Sequence, residues 1–497
     1  MTVLAFAMVA LLALAGLPLF LVLAGFAITG YISTSQSLEL FFASNIRPIA
    51  TSPVFLAILL FTLAGYLMAE SKTPERIVRF SKALVGFLPG GLAIVAVVAC
   101  AVFTAFTGAS GVTIVALGGL LLPALLKDGY GERFSLGLLT TGGSRGLLFP
   151  PSLPLIVYAM VAGLAMEGVG TFGQEGREPQ AQVQKTEEQE QMEKEIEEML
   201  ESDEGENGAP EKAEIGTQSA NKQEEAQPAV PQVTRVSVDK LFVAGALPGA
   251  FAIILVFIYA MFASRKAGVS KQKFSLKELW LSFKAIIWEV PVPLIVIVGI
   301  YGGFFTAIDA SAIVAMYVFI VEVFIYRDIK FSHVPKVFTE SMVLVGGILL
   351  ILMSAISLTN FFIDREVPQS LFQFVKSAID SKFMFLVVLN IFLLIVGCLM
   401  DIFSAIMVVV PMITPIASHY GIDPVHLGIV FLTNLEIGFS TPPVGVNLFV
   451  ASLAFRRPVI ELYRATLPFL GLSLIALVVI TYWPDLSLFL VRLTGVK

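Results

Sequence analysis

The chain has 497 residues, of which 57% are hydrophobic and 14% charged. Soluble domains carry roughly a quarter charged residues, so this composition excludes a water-soluble globule and makes lipid the solvent for most of the chain. The net charge of −6 hides two populations: residues 167–236 hold 18 acidic and 6 basic residues, leaving 26 basic and 20 acidic residues elsewhere.

Taken in chain order, apolar runs fall at 3–31, 52–69, 86–107, 111–127 and 134–166, and then at 239–263, 286–306, 308–326 and 340–363. Four more follow at 383–400, 403–418, 425–454 and 465–490. None alternates with period two, so they read as helices rather than barrel strands. The first run lacks a basic residue ahead of it and reads as retained membrane helix, not a cleaved leader. A break at Gly16-Leu17-Pro18 leaves open whether it crosses once or folds into two pieces. Residues 167–236, rich in Glu, Gln, Lys and Ala, cannot bury enough apolar surface to offset their ordering entropy. They read as an acidic, largely disordered insert, with Gln184–Ser202 rich in helix formers. Membrane halves at 1–166 and 237–497 flank it.

Basic residues orient the runs. Lys72, Arg76, Arg79 and Lys82 form one loop; Arg265, Lys266, Lys271, Lys273, Lys277 and Lys284 a second; Arg456, Arg457 and Arg464 a third. Placing all three in the cytoplasm forces 86–107 and 111–127 to enter and return from inside. It forces 383–400 and 403–418 to enter and return from outside. The acidic insert then lies outside.

A repeat supports this inversion. The stretch LPALLKDGYGERFSLGLLTTGGSRGLLFPP ends at Pro151, and TPIASHYGIDPVHLGIVFLTNLEIGFSTPP ends at Pro443, 292 residues later. At that offset Pro123 meets Pro415, Gly129 meets Gly421, Gly146 meets Gly438, and Pro150 meets Pro442. Gly146 with Pro150-Pro151, and Gly438 with Pro442-Pro443, interrupt apolar helices. Unwound backbone at membrane depth is tolerated only inside protein or beside a polar cavity, and paired interruptions in inverted halves point to a transport site. The fold class is an all-α polytopic membrane protein with two inverted halves, two re-entrant helical hairpins and two broken helices.

Polar residues inside these runs are the candidate site. The first turn reads Thr107-Gly108-Ala109-Ser110-Gly111-Val112-Thr113 and faces Gly142-Gly143-Ser144-Arg145-Gly146. Its oxygens suit a hard cation, or bond back to their own helix. Asp401 in the second hairpin is costly in an apolar run and is a ligand, a paired structural carboxylate or a helix cap; Asn434, Glu436, Ser440, Thr441 and Asn447 stand opposite. Arg145 either holds a carboxylate bidentately or pairs with an intramembrane acid. With Ser152 and Asn447 it forms the candidate substrate-binding set. Asp309 reads as the start of a helix. His333, His419 and His426 lack metal spacing, Cys100 and Cys398 read as buried free thiols, and no phosphate-cradling loop or nucleophile–base pair is visible, so the chain is not read as an enzyme.

The strings LLLPALLKDGYGERFSLGLLTTGGSRGLLFPPSLPLIVYA and GCLMDIFSAIMVVVPMITPIASHYGIDPVHLGIVFLTNLEIGFSTPPVGVNLFVAS resemble the large permease (M) subunit of TRAP-type transporters, of the DctM-like family. The shorter LFVAGALPG and YGGFFT also fit. The resemblance covers nearly the whole chain except 167–236. It implies an elevator-type importer in the bacterial inner membrane, coupled to Na⁺ and needing no other cofactor. Its substrates would be organic acids such as C4-dicarboxylates or sialic acid, delivered by a periplasmic binding protein. A small four-helix membrane subunit would be the other partner, and nucleic acid none. The resemblance places one Na⁺ site at Thr107, Ser110, Gly142 and Ser144, and a second at Asp401, Asn434, Gly438 and Thr441. This chain departs from the resembled pattern at Arg145, Gly142, Asp309, Ala109 and Gly111. The competing reading is a self-sufficient ion-coupled carboxylate symporter of related fold.

Overall fold

The computed structural model describes residues 5, 7–9, 11–12, 19–33, 53–88, 90–175, 236–267, 274–365 and 367–495. The break at Gly16-Leu17-Pro18, the insert from residue 176 to 235 and Gln184–Ser202 within it lie outside these. Two compact units divide the chain, Met1–Ala165 with Val236–Lys497, and Met166–Arg235. Of the second unit, 166–175 are described, and they are helical.

The helices of the first half are α1 (Leu19–Ser33), α2 (Pro53–Glu70), α3 (Thr73–Val85), α4 (Gly91–Thr107), α5 (Ser110–Lys127), α6 (Glu132–Gly142) and α7 (Leu153–Glu175). The second half begins with α8 (Val238–Ala267), α9 (Leu276–Ile286), α10 (Pro291–Tyr301), α11 (Ala307–Ile320) and α12 (Val334–Asp364). It continues with α13 (Val367–Ala378), α14 (Lys382–Leu399), α15 (Ile402–His419), α16 (Pro424–Gly438), α17 (Val446–Phe455), α18 (Val459–Tyr482) and α19 (Asp485–Thr494). Among the described residues, seven helices are long and apolar enough to cross a bilayer, or nine if each of two bent pairs is one span.

Those bends correct the reading of the basic segments as loops. α2 turns into α3 through 75°, and α9 into α10 through 73°. α3 carries Lys72's neighbours Arg76, Arg79 and Lys82 on an amphipathic helix that buries Thr73, Pro74, Ile77 and Ser81. Its apolar positions recur at helical spacing among the charges, which is the surface-helix pattern. The run 465–490 likewise divides, because the Trp483-Pro484 step ends α18 before α19. Asp309 sits in the first turn of α11, where it completes a reciprocal cap with Thr306.

The hairpins are re-entrant and inverted. α4 and α5 pack side by side, joined by the two-residue tip Gly108-Ala109. Gly108 is left-handed at φ 63°, and a Cβ there would meet Leu153 Cγ at 2.9 Å, so only glycine fits. α14 and α15 are joined at Met400-Asp401, with Lys382 Nζ donating to Gly421 O at 2.8 Å where the two arms open. α18 is the common ruler, about 36 Å long at 1.5 Å per residue. Arg457, just before it, pairs with Glu132 beyond hairpin one. At its far end Tyr482 Oη donates to Phe383 O in hairpin two, 3.3 Å away. The two hairpins therefore open at opposite ends of one helix. The first two basic segments also adjoin, through Arg79 Nε to Glu278 Oε1 at 2.8 Å.

The 292-residue offset holds for the elements themselves. Adding it to α5 gives α15 at both ends, adding it to the last residue of α4 gives the last of α14, and Glu132 maps to Pro424 at the head of α16.

Candidate functional site

Both broken helices part where the sequence places the breaks. Residues 143–152 separate α6 from α7, and 439–445 separate α16 from α17; Pro150-Pro151 and Pro442-Pro443 lie within them, both cis. The repeat glycines are steric necessities. A Cβ on Gly146 would sit 2.1 Å from Ala101 O in hairpin one, and on Gly438 2.4 Å from Gly397 C in hairpin two. Each broken helix thus presses its backbone directly onto its own hairpin, at α4 and at α14.

The two tips and the two breaks meet at one cavity of about 140 Å³. Gly108–Gly111 line it from the first tip, Leu147 from the first break, Asp401–Phe403 from the second tip, and Phe439 and Val446 from the second break. Asp401 is exposed, so it reaches the open space. Its carboxylate accepts from Phe403 N at 3.0 Å and Ser404 N at 3.1 Å, and takes the Ser404 hydroxyl. It is the N-cap of α15, while Ala109, its repeat counterpart, gives α5 no side-chain cap.

The two halves touch through side chains as well. Ser110 Oγ donates to Asn447 Oδ1 at 2.7 Å, linking the start of α5 to the start of α17. Asn447 is fully buried and its Nδ2 has no hydrogen-bond partner. Arg145 Nη1 lies 2.9 Å from Glu436 Oε1, an ion pair off the ideal hydrogen-bond direction, with both side chains 4% exposed. The other terminal nitrogen of Arg145 donates to Ser473 Oγ on α18. Of the two alternatives the sequence left for Arg145, the geometry places it against the intramembrane acid.

Most of the remaining candidates are satisfied locally. Thr107 Oγ1 bonds Phe103 O at 3.1 Å, and Ser144 Oγ bonds Thr141 O at 3.3 Å, both within their own turns. Gly142 O accepts from Arg145 N. Ser152 Oγ donates to Leu147 O and accepts from Leu155 N at 3.5 Å, so it caps α7. Thr441 Oγ1 bonds Ile437 O at 2.8 Å, while its carbonyl accepts from Cys398 Sγ at the end of α14. Asn434 Nδ2 donates to Asn390 Oδ1 at 2.8 Å, leaving its buried Oδ1 unpartnered, as is Ser440 Oγ.

Two partners escaped the sequence reading. Thr104 Oγ1 lies 2.7 Å from Thr113 Oγ1 and donates to Gly143 O at 2.7 Å. With its one proton on that carbonyl, it takes Thr113's proton, so the two arms and the first break are tied at one point. Their signal is symmetric placement about the tip Gly108-Ala109. Asn390 in hairpin two was hidden as a single amide in an apolar run.

Inverted halves, twin hairpins and twin broken helices around one cavity define a secondary-transporter architecture. The chain belongs to the family described as tripartite ATP-independent periplasmic transporter, DctM component, whose model matches residues 3–172 and 229–486. It is 33% identical over 441 residues to the C4-dicarboxylate TRAP transporter large permease protein DctM of Rhodobacter capsulatus, covering 88% of this chain and 87% of that one. It is 28% identical to the isethionate TRAP transporter permease protein DctMQ of Oleidesulfovibrio alaskensis, over 89% of this chain and 58% of that one. It is 24% identical to the ectoine TRAP transporter large permease protein TeaC of Halomonas elongata, over 98% of each. In fold it is similar to the crystal structure of the Alcanivorax borkumensis YdaH transporter, with TM-score 0.57 at 13% identity, covering 91% of this chain and 89% of that one.

Proposed function

We propose that this chain is the inner-membrane permease subunit of a sodium-coupled TRAP importer of organic acids. A periplasmic binding protein delivers the substrate, and a small membrane subunit braces the fixed helices. The observation that carries the reading is the charge asymmetry of the cavity. Two helix N-termini enter it uncapped by side chains, those of α5 and α17; at α17 the Asn447 and Leu448 N–H groups are taken by Phe439 O and Gly445 O, so it is the helix dipoles, with the first turn of α5, that favour an anion there. Asn447 Nδ2 adds an unused donor between them. Opposite, the equivalent position of the repeat is Asp401, which places negative charge where a cation is favoured. A carboxylate at the α5–α17 side and Na⁺ at the Asp401 side would neutralise one another in a single space, a physical basis for coupling.

An elevator motion suits this body. Ser110–Asn447 and Arg145–Glu436 tie the two halves together, while α1, α2, α11 and α12 pack on one another as a frame that meets the hairpins at α2 against α4 and at α12 against α15. The test is uptake of labelled organic acids into vesicles holding the chain, with and without the binding protein, the small subunit and a sodium gradient. Uptake requiring all three supports the proposal. Uptake lacking any dependence on the binding protein would establish the self-sufficient symporter instead.

A further inference from the structure

A buried charge cluster away from the cavity lies where the two bent helix pairs meet. Glu289, in the elbow between α9 and α10, is 4% exposed; Glu322, in the π-helical turn Val321–Ile325 after α11, is 1%; Asp328 beyond it is 9%. Arg76 is the cation among them. Its guanidinium contacts Glu289 and Asp328 directly, lies 3.7 Å from Glu322 Oε2, and stacks 3.7 Å over the Tyr326 ring. Tyr326 Oη is committed to Ala285 O and Tyr317 Oη to Trp288 O, so neither supplies a proton; the Ser71 hydroxyl, 2.8 Å from Thr73 Oγ1 and 2.9 Å from Met68 O, brings one proton of its own and leaves Thr73's two carboxyl contacts to share the Thr73 proton. From the α2–α3 elbow the Lys72 backbone N–H donates to Asp328.

Proton counting makes this cluster unusual. Thr73 Oγ1 lies 2.9 Å from Glu289 Oε1 and 3.0 Å from Glu322 Oε1. One hydroxyl has one proton to donate. Were both carboxyls ionised, one of these contacts would set lone pair against lone pair. The second oxygens of both, Glu289 Oε2 and Glu322 Oε2, are buried without hydrogen-bond partners, which is costly for an ionised group and cheaper for a neutral acid. Three carboxylates against one guanidinium would also leave excess buried negative charge, and carboxylates sharing a site do not ionise together readily.

We propose that this cluster is a proton-binding site, in which Glu289 and Glu322 hold one proton between them at neutral pH. The proton resides on Glu322, the carboxyl less engaged by Arg76. Glu322 donates to the Thr73 oxygen, and the Thr73 hydroxyl donates to Glu289. The relay joins the α2–α3 elbow, the α9–α10 elbow and the end of α11, so losing its proton loosens all three together. Nothing in it depends on the transport reading.

The experiment is thermal unfolding of the purified full chain in lipid nanodiscs, titrated from pH about 6 to about 9. The wild-type midpoint is expected to fall as the pair loses its proton. Glu322→Gln, which reproduces the neutral acid in shape, is expected to abolish that fall and hold the midpoint at its low-pH value. The infrared carboxylic-acid C=O band gives a second reading at neutral pH. It should weaken in Glu322→Gln, and also in Glu289→Gln, where the freed Thr73 proton lets Glu322 ionise. An unchanged pH slope in Glu322→Gln, or an undiminished acid band in whichever variants fold, would overturn the site in favour of one hydroxyl proton split between two carboxylates.

Discussion

Arg145 and Glu436 join the unwound turn of one half to the broken helix of the other, both nearly sealed from solvent. Replacing one partner strands the other charge. Removing one member of a buried pair costs about 3–5 kcal/mol, whereas replacing both with apolar residues of similar volume is about neutral or stabilising. Arg145→Met and Glu436→Leu are thus each expected to lose about 3–5 kcal/mol, and the double variant to recover nearly all of it. Additive independent sites would instead lose about 6–10 kcal/mol together. The assay is unfolding of the three variants in nanodiscs, with substrate KM from vesicle uptake measured in parallel. A loss below about 1 kcal/mol in each single variant, or additivity in the double, refutes the reasoning. Recovery of stability with KM still raised would show that Arg145 also touches substrate.

Three further outcomes follow from the geometry. Asn447→Asp sets a carboxylate beside the two uncapped helix starts and should raise KM for an organic anion by about tenfold or more, about 1.4 kcal/mol, with Vmax measured alongside. Gly146→Ala and Gly438→Ala should each abolish folding or uptake, since the added carbon would lie 2.1 and 2.4 Å from backbone; Gly142→Ala should be tolerated, its nearest neighbour being Cys100 Cβ at 3.8 Å. Asp401→Asn keeps most of the α15 cap, at a cost of no more than about 1 kcal/mol, and should nevertheless weaken the sodium dependence of uptake; unchanged dependence on sodium concentration would reduce Asp401 to a cap.

The backbone of the site was legible because Gly and Pro dictate chain shape whatever surrounds them. Gly146 and Gly438 at one offset from their Pro-Pro pairs marked the breaks, and the basic segments alone demanded hairpins of opposite entry. Side-chain partners were not legible in the same way. Whether Arg145 meets substrate or acid depends on how the halves register, and Glu436 is 291 positions away in sequence. Thr104 reads as an ordinary helix hydroxyl, and Thr113 only as one more oxygen of the tip, until the tip folds the two together. The elbows were missed because a surface helix such as Thr73–Val85 is as charged as a loop; only its Ile77 and Ser81 spacing distinguishes it.

The central claim is that the cavity between tips and breaks is where ion and acid bind. Its most direct measurement is thiol modification at Ala109→Cys, in a Cys100→Ala/Cys398→Ala background, in vesicles that also carry out uptake. Sodium together with the acid transported by those vesicles should slow modification at this tip, and neither alone should slow it as much. A modification rate indifferent to the pair that drives uptake would place binding elsewhere.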